Sequence, residues 1–448
     1  MFSSVHSCMR RLAFSVFLLA SVLLCGCAAR SHSTPNVAGE LQQRTGHSPA
    51  TIESGTTGLP AQVKLEDGLS EDEAVAIALW NNPAFQTELT RLGIARADLA
   101  DARFLRNPIF SLLFPLGPKQ LESTISWPIE QIWLRPRRMR IAQKEIDRVS
   151  QVLVQSGLDL ARDVRLAHAN ALRAAQAEAL AAERAALESE ITGLMQARLR
   201  AGDISEREAN QQALAAEEAR EAAARTARDS ALALEQLRAL LGWSESGRPF
   251  SVSGEDPPSL PASRTEALLK DAFAARPDLR AAELAIEVAG ERAKLEKAKI
   301  FTLTAMLDIN AEGRRGFEAG PGIQAEVPLA NWNQGGRSRA RAELDAAMKR
   351  YIATRQRIAQ EVRESVIRVE AARASAERWR AQILPRAEEQ RAAAQKSYES
   401  GDVSYLAVLE SARAVNILRE RALEAQAEES KARADLERSL GHKLSPAK

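Results

Sequence analysis

An internal duplication constrains this 448-residue chain more than any other feature. The stretch "SEDEAVAIALWNNPAF" from Ser70 is answered by "SRTEALLKDAFAARPDL" from Ser263. Each opens on a capping-box pair, Ser70/Glu73 and Ser263/Glu266, and each reaches a proline, Pro83 or Pro277, that suits the first position of a new helix. Further along, "SWPIEQIW" from Ser126 pairs with "EVPLANWN" from Glu326, a Gly-Asp-x-Ser turn at Gly202 pairs with one at Gly401, and "LRALLGW" pairs with "LERSLGH". Five matches occur in the same order at an offset of 193 to 200 residues. The chain is therefore two copies of one unit, residues 69–242 and 263–442, joined by a Pro- and Ser-rich linker at 243–262 and ending in a short tail at 443–448.

Each unit carries a non-helical piece, 107–129 and 301–329, with period-two alternation. Leu121, Ser123, Ile125, Trp127 and Ile129 fall on one side, and Glu122, Thr124 and Ser126 on the other. Phe301, Leu303, Ala305, Leu307 and Ile309 alternate with Thr302, Thr304, Met306, Asp308 and Asn310. Ile323, Ala325, Val327 and Leu329 alternate with Gln324 and Glu326. The strand before Gly117 is less regular. Gly117-Pro118 and residues 313–322 supply the turns of two hairpins. Strands of about ten residues span a bilayer when tilted. Four strands cannot close a barrel, and an open edge in lipid would leave N–H and C=O groups unpaired. Other copies must complete the sheet, and three copies give twelve strands around a lumen.

No proline interrupts residues 138–247, so 136–201 predicts a single helix of roughly 65 residues, near 100 Å. Leu180, Leu187 and Leu194 mark a coiled-coil seam. The equivalent helix of the second unit contains Pro385 and is expected to kink there. Gly202 and Gly401 suit the left-handed end of a helix. Asp203, Ser205, Asp402 and Ser404 offer oxygens to cap the next helix. Ser205 and Glu208 form a second capping box, whereas Ala407 replaces the glutamate in the other copy.

The N-terminus reads as an export signal over residues 1–26: Arg10 and Arg11 precede an apolar run that ends in Leu24-Cys25-Gly26-Cys27. Small residues before Cys27 resemble a bacterial lipobox, which makes Cys27 the lipidation site and a covalent lipid the only attached group. Ala28 follows, and no Asp suggests inner-membrane retention, so the expected location is the outer membrane. Residues 27–68, rich in Ser, Thr, Gly and Pro, read as an extended tether. With 4% aromatic residues against 45% hydrophobic ones, the body favours close helix-on-helix packing over a thick core. The 61 basic and 59 acidic side chains are mixed along helices, which argues against a nucleic-acid surface.

Taken together, the sequence resembles the TolC-like outer-membrane factors over residues 69–442. The resemblance rests on the duplicated helix–hairpin–long-helix unit, on Pro128-Ile129 and Pro328-Leu329 closing the hairpins, and on "NWNQGGRSRA" at 331–340. "IWLRPRRMR" at 132–140 is a looser copy of that exit motif. The lipobox resembles the lipidated branch of the family. The resemblance implies a mostly α chain with a membrane β-barrel contribution, assembled as a homotrimer with a twelve-strand barrel on a long α-helical tunnel. It implies a passive exit duct of a tripartite efflux or secretion system, lipid-anchored in the outer membrane and extending into the periplasm. The partners would be a periplasmic adaptor and an inner-membrane pump. The tips at Gly202, Asp203, Ser205, Gly401, Asp402 and Ser404 would dock the adaptor, and Glu208, Tyr398 and Glu410 would stand around the tunnel mouth. Trp127, Trp133 and Trp332, with Arg135, Arg137 and Arg138 beside them, would mark the membrane boundary. Ile125 and Leu307 would face lipid, and Glu122 and Asp308 the lumen.

The alternative is a periplasmic lipoprotein adaptor or scaffold built on coiled coils. An adaptor normally carries one helical hairpin and Gly- and Val-rich β domains, whereas this chain has two hairpins. An enzyme is disfavoured: the five histidines (His6, His32, His47, His168 and His442) are scattered, none at metal-ligand spacing, and no nucleophile motif or phosphate loop is present. His168, within a helical run, reads as a packed or solvated side chain.

Overall fold

The computed structural model describes residues 37–49, 58–60, 63, 65–114, 119–245, 247–254, 264–312 and 316–444. The signal segment, Cys27, the turn at Gly117-Pro118 and Ser263 lie outside the described residues. The first unit runs α2 (Glu71–Asn81), α3 (Pro83–Arg103), β1 (Ile109–Leu113), β2 (Lys119–Pro128), α4 (Gln131–Ala201) and α5 (Glu206–Leu240), preceded by α1 (Val37–Thr45). The second repeats the order: α6 (Thr265–Ala275), α7 (Pro277–Ala298), β3 (Leu303–Glu312), β4 (Gly316–Ala325), α8 (Gln334–Arg378), a π turn (Trp379–Ile383), α9 (Leu384–Glu399) and α10 (Tyr405–Leu440).

The repeated sequence signals have a common physical origin. Ser70 and Glu73 form the predicted capping box, with Ser70 N–H donating to Glu73 Oε2 at 3.1 Å. Asn82 ends α2 and begins α3. Its Oδ1 accepts from Phe85 N–H at 3.0 Å, and its Nδ2 donates to the Leu240 carbonyl at the end of α5, 2.9 Å away. Gly242 turns the chain out of α5 at φ +73°, pressed against the Asn81 carbonyl so closely that a side chain would collide with it. The second unit solves the same problem with other atoms. Arg276 precedes Pro277, is fully buried, and reaches the Ser439 carbonyl at 3.3 Å, while Gly441 at φ +83° lies against its Cα. Arg276 needs counter-charges there: Asp278 at 2.7 Å and Glu361 at 2.5 Å supply them. Ser263 of the box predicted at Ser263/Glu266 lies outside the described residues. Arg264 is the N-cap of α6, without a side-chain bond.

Two segments read as connectors are packed into the body. The predicted extended tether contains α1, whose Val37 and Leu41, four residues apart on one face, are buried in the core formed by α2, α4 and α5. A Cβ on Gly157 would come within 2.6 Å of Leu41, so the absence of a side chain on α4 makes the seat. Arg44 donates to the carbonyls of Ala275 (2.5 Å) and Gly441 (3.0 Å), which ties α1 to the second unit. The predicted linker begins with Trp243, fully buried, and passes Leu69 in a short parallel bridge (Leu69 N–H to Ser251 O, 2.8 Å).

Helix α4 has 71 residues, about 105 Å, and begins five residues before Pro136, because the hairpin ends at once into Gln131. Its buried lower positions are Ala171, Ala174, Ala177, Glu188 and Ile191, while the predicted seam residues Leu180, Leu187 and Leu194 are only half-buried. Small side chains set the helix spacing and leucines fill its margins. Pro385 does interrupt the second long helix. It follows a single π turn closed by Leu384 N–H to Trp379 O, which absorbs the missing donor.

The four strands form one antiparallel sheet in the order β1-β2-β3-β4. β4 lies earlier than its alternation implied: it runs through Gly320, Pro321 and Gly322, and 326–329 lie beyond it. Proline is compatible because β4 is an edge strand with one side unpaired in this chain. Replacing Gly157 with alanine is expected to destabilise the protein by about 1–3 kcal/mol through overpacking. The cost should shrink in a Gly157→Ala/Leu41→Ala double variant. Thermal unfolding of the four proteins in detergent, as a double-mutant cycle, checks this.

Candidate functional site

The chemistry of this protein is concentrated at the two ends of its long helices. At one end stands the sheet. Register places Phe110, Ile125, Leu307 and Pro321 in one row, and two residues along lie Leu112, Ser123, Ile309 and Ala319. Phe110, Leu112, Ile125, Leu307 and Ile323 share that face and are exposed. The opposite face carries Glu122 across from Asn310 and Thr124 across from Asp308. Thr124 Oγ1 donates to Asp308 Oδ1 at 2.9 Å, and Asn310 Nδ2 donates to Asp308 Oδ2 at 3.2 Å. The predicted division into an apolar and a polar face therefore holds for β2 and β3. β1 departs from it: Ile109 and Leu113 are exposed on the polar side.

Below the sheet, Trp127, Trp133 and Trp332 are all partly exposed, at the foot of β2, in the first turn of α4 and before α8. The exit motif at 331–340 has a local cause. Asn333 takes a left-handed backbone at φ +59° and bonds Glu296 through its side-chain nitrogen at 2.9 Å. A Cβ on Gly336 would meet the side-chain oxygens of Asn333 and Glu296, so any larger residue there has to displace that pair.

At the other end are the two tips. Gly202 and Gly401 have φ of +82° and +84°, with open space where a Cβ would point. Asp203 N–H returns to Arg198 O at 2.9 Å and Asp402 N–H to Ser397 O at 2.8 Å, so both tips close alike. Ser205 and Glu208 make the expected reciprocal box, and these bonds hold the Glu208 carboxyl below its ordinary pKa. Glu208, placed near the tunnel mouth by resemblance, is thus engaged as a helix cap. Ser404 makes no side-chain cap, as Ala407 implied, and the Asp402 carboxylate accepts from Ser400 (2.7 Å) rather than capping α10. The Tyr398 ring packs against that of Tyr405, tilted by 47° with centroids 5.2 Å apart. Glu410 is exposed on α10.

One group near the tips was not foreseen. Glu188 on α4 is 2% exposed and is held by Arg413 of α10 and by Gln212 Nε2 of α5 at 2.8 Å. Burial alone would raise its pKa, but the bonds from Arg413 and Gln212 outweigh that and lower it. Beside it, Tyr405 Oη donates to Glu190 at 2.9 Å. These contacts bring both tips to one level and tie the second hairpin to the first. The repeat could not reveal them: Ala387 stands fourteen residues before Gly401, as Glu188 stands before Gly202. Elsewhere, His168 is buried with Nε2 2.8 Å from the Leu69 carbonyl, and burial lowers its pKa: a packed side chain. Among the described residues, no group of three His, Cys, Asp or Glu could hold a metal ion, and no helix is long and apolar enough to cross a membrane. Arg413→Leu should cost about 3–5 kcal/mol by leaving a buried carboxylate unpaired. The double variant Arg413→Leu/Glu188→Leu should recover most of it, as read by chemical unfolding followed by circular dichroism.

No curated protein matches the sequence significantly. The family described as "Outer membrane efflux protein" matches residues 268–442. Among solved structures, the chain is similar to the outer membrane protein VceC of Vibrio cholerae, with TM-score 0.65 and 17% identity over 84% of this chain and 97% of that one. The Campylobacter jejuni CmeC outer membrane channel superposes with TM-score 0.69 at 13% identity, covering 89% and 92%. The open-state MtrE outer membrane channel of Neisseria gonorrhoeae gives 0.64 at 17%, covering 88% and 98%. The second repeat thus carries the match to the outer membrane efflux protein family, and the chain as a whole shares its fold with these outer-membrane channels.

Proposed function

We propose that this protein is the outer-membrane exit duct of a tripartite efflux system. The observation that carries the reading is a four-stranded sheet with one apolar and one polar face, open at both edges, on a helix about 105 Å long. An open edge in a bilayer leaves backbone groups unpaired, so β4 of one copy joins β1 of the next, and a homotrimer closes a twelve-strand barrel with polar residues inward. The long helices of three copies then enclose a tunnel in the periplasm. Six similar tips at its far end meet the adaptor of an inner-membrane pump. Export through the duct is passive, and the partner pump supplies the energy. The scaffold alternative leaves the amphipathic sheet without a purpose.

Gly202 and Gly401 are the adaptor contacts in this reading, because nothing in the protomer crowds them. A bulky residue there costs only the left-handed backbone, about 1 kcal/mol per site, and obstructs an approaching partner. Gly202→Leu/Gly401→Leu is expected to abolish export while the trimer still forms and inserts. Undiminished export would remove the tips from the docking surface.

Cys27 carries the lipid that holds the N-terminus at the membrane, and α1 docks the following segment on the body. Mass spectrometry of the mature N-terminus should find an acylated Cys27. A mature chain starting beyond it would end this part of the reading.

A further inference from the structure

The register of the sheet defines a base row: Ile109, Ser126, Met306 and Gly322 lie side by side, and all four strands enter or leave the sheet at this end. Four segments distant in sequence therefore meet at one level: 96–108, 129–141, 291–302 and 326–341. They contain fourteen Arg and Lys against six Asp and Glu, a surplus of eight, whereas the whole chain carries a net charge of +2. The remainder is thus net acidic, and the fold sorts positive charge to the foot of the sheet.

Four of the six acidic residues here are engaged: Glu130 accepts from Gln131 Nε2 at 3.1 Å and Glu326 from Thr302 Oγ1 at 2.9 Å, Glu291 and Glu296 are ion-paired, and Asp98 and Asp101 are exposed. Glu291 pairs with Lys294 at 2.6 Å and Arg140 at 3.6 Å, and Glu296 with Lys299 at 2.6 Å. Arg137 and Arg138 instead donate to backbone carbonyls, of Lys294 at 2.9 Å and Phe104 at 3.2 Å. The Nε groups of Arg135 and Arg138 are turned inward without a hydrogen-bond partner. Trp127, on the apolar face of the sheet, donates Nε1–H to the carbonyl of Arg106 at 3.0 Å, which holds the backbone of the exposed Arg106 beside that face. Phe104, between them, is 70% exposed.

We propose that this collar binds anionic phospholipid headgroups, with Arg106 and Arg138 taking the phosphate beside Trp127 and with Phe104 against the acyl chains. A guanidinium fork matches phosphate oxygens in bidentate geometry. Tryptophan favours the bilayer interface. A phospholipid, rather than free phosphate, is the occupant because the charged level is continuous with an exposed apolar face that needs hydrocarbon. The proposal rests on the reading of the sheet as membrane-inserted.

The test uses the full-length protein in neutral detergent, with native mass spectrometry after addition of phosphatidylglycerol or phosphatidylethanolamine. Phosphatidylglycerol should bind more tightly, and less so as salt rises. Each arginine removed should weaken it roughly fivefold, so Arg106→Gln/Arg138→Gln should lose about 25-fold and Arg106→Gln alone about fivefold. Arg106→Lys should restore part of the loss. Arg207→Gln, at the distant tips, should change nothing. Equal binding of the two lipids, an unaltered double variant that remains folded, or displacement by equimolar inorganic phosphate would each overturn the proposal. Flotation with neutral vesicles, and with vesicles that contain phosphatidylglycerol, separates the two readings. A wild-type protein that floats without lipid preference ends the collar alone, and one that never enters vesicles ends the membrane reading with it.

Discussion

A backbone N–H or C=O group in hydrocarbon has no water to bond, and the rest of this structure follows from that constraint. β1 and β4 each present an open edge in a single chain. One copy is therefore an incomplete object in a membrane, however well its helices pack. In the proposed trimer, the alternation of β2 and β3 into apolar and polar faces becomes useful when the sheet curves round on copies of itself. The five-residue β1, with Ile109 and Leu113 on the polar side, is the place where the pattern is weakest.

The duplication shows how a fold is conserved while its atoms change. Both units must close the end of their last helix against the residue before a proline. Asn82 does so with a neutral side chain that satisfies Phe85 N–H and Leu240 O together. Arg276 does so with a buried charge, and the burial then demands Asp278 and Glu361. The tips diverge in the same way. Ser205 and Glu208 cap each other, while Ser404, facing Ala407, has no such partner. Near the tips the units stop being equivalent: Glu188 faces Arg413, and its counterpart position holds Ala387. An asymmetric ion pair between two similar hairpins fixes how they lie against each other, which a symmetric pair of apolar faces would not.

Charge is distributed with equal economy. A net charge of +2 over 448 residues looks neutral, yet the four segments below the sheet are strongly basic and the remainder is acidic. Acidic and basic side chains alternate along the helices, so the excess emerges only when the strands bring the helix ends together.

Much of the protein was legible in sequence because its determinants are local or periodic. The repeat, the capping boxes at Ser70 and Ser205, the prolines that start α3 and α7, the left-handed glycines at 202 and 401 and the two faces of β2 and β3 all follow from short patterns that fix backbone angles or period. What the sequence did not reveal depends on contacts across long separations. Residues 37–45 look like a polar tether until Gly157 opens a seat for Leu41, and Trp243 looks like linker until it meets the core beside Phe250. β4 hides among glycines and a proline that only an edge position tolerates. Glu188, Arg413 and Gln212 are unremarkable surface residues in sequence, and only the packing of α4, α5 and α10 buries the carboxylate and gives it its partners. Local pattern determined the elements; the desolvation of particular groups, which exists only once the elements pack, decided which residues hold the tips together and where the charge collects.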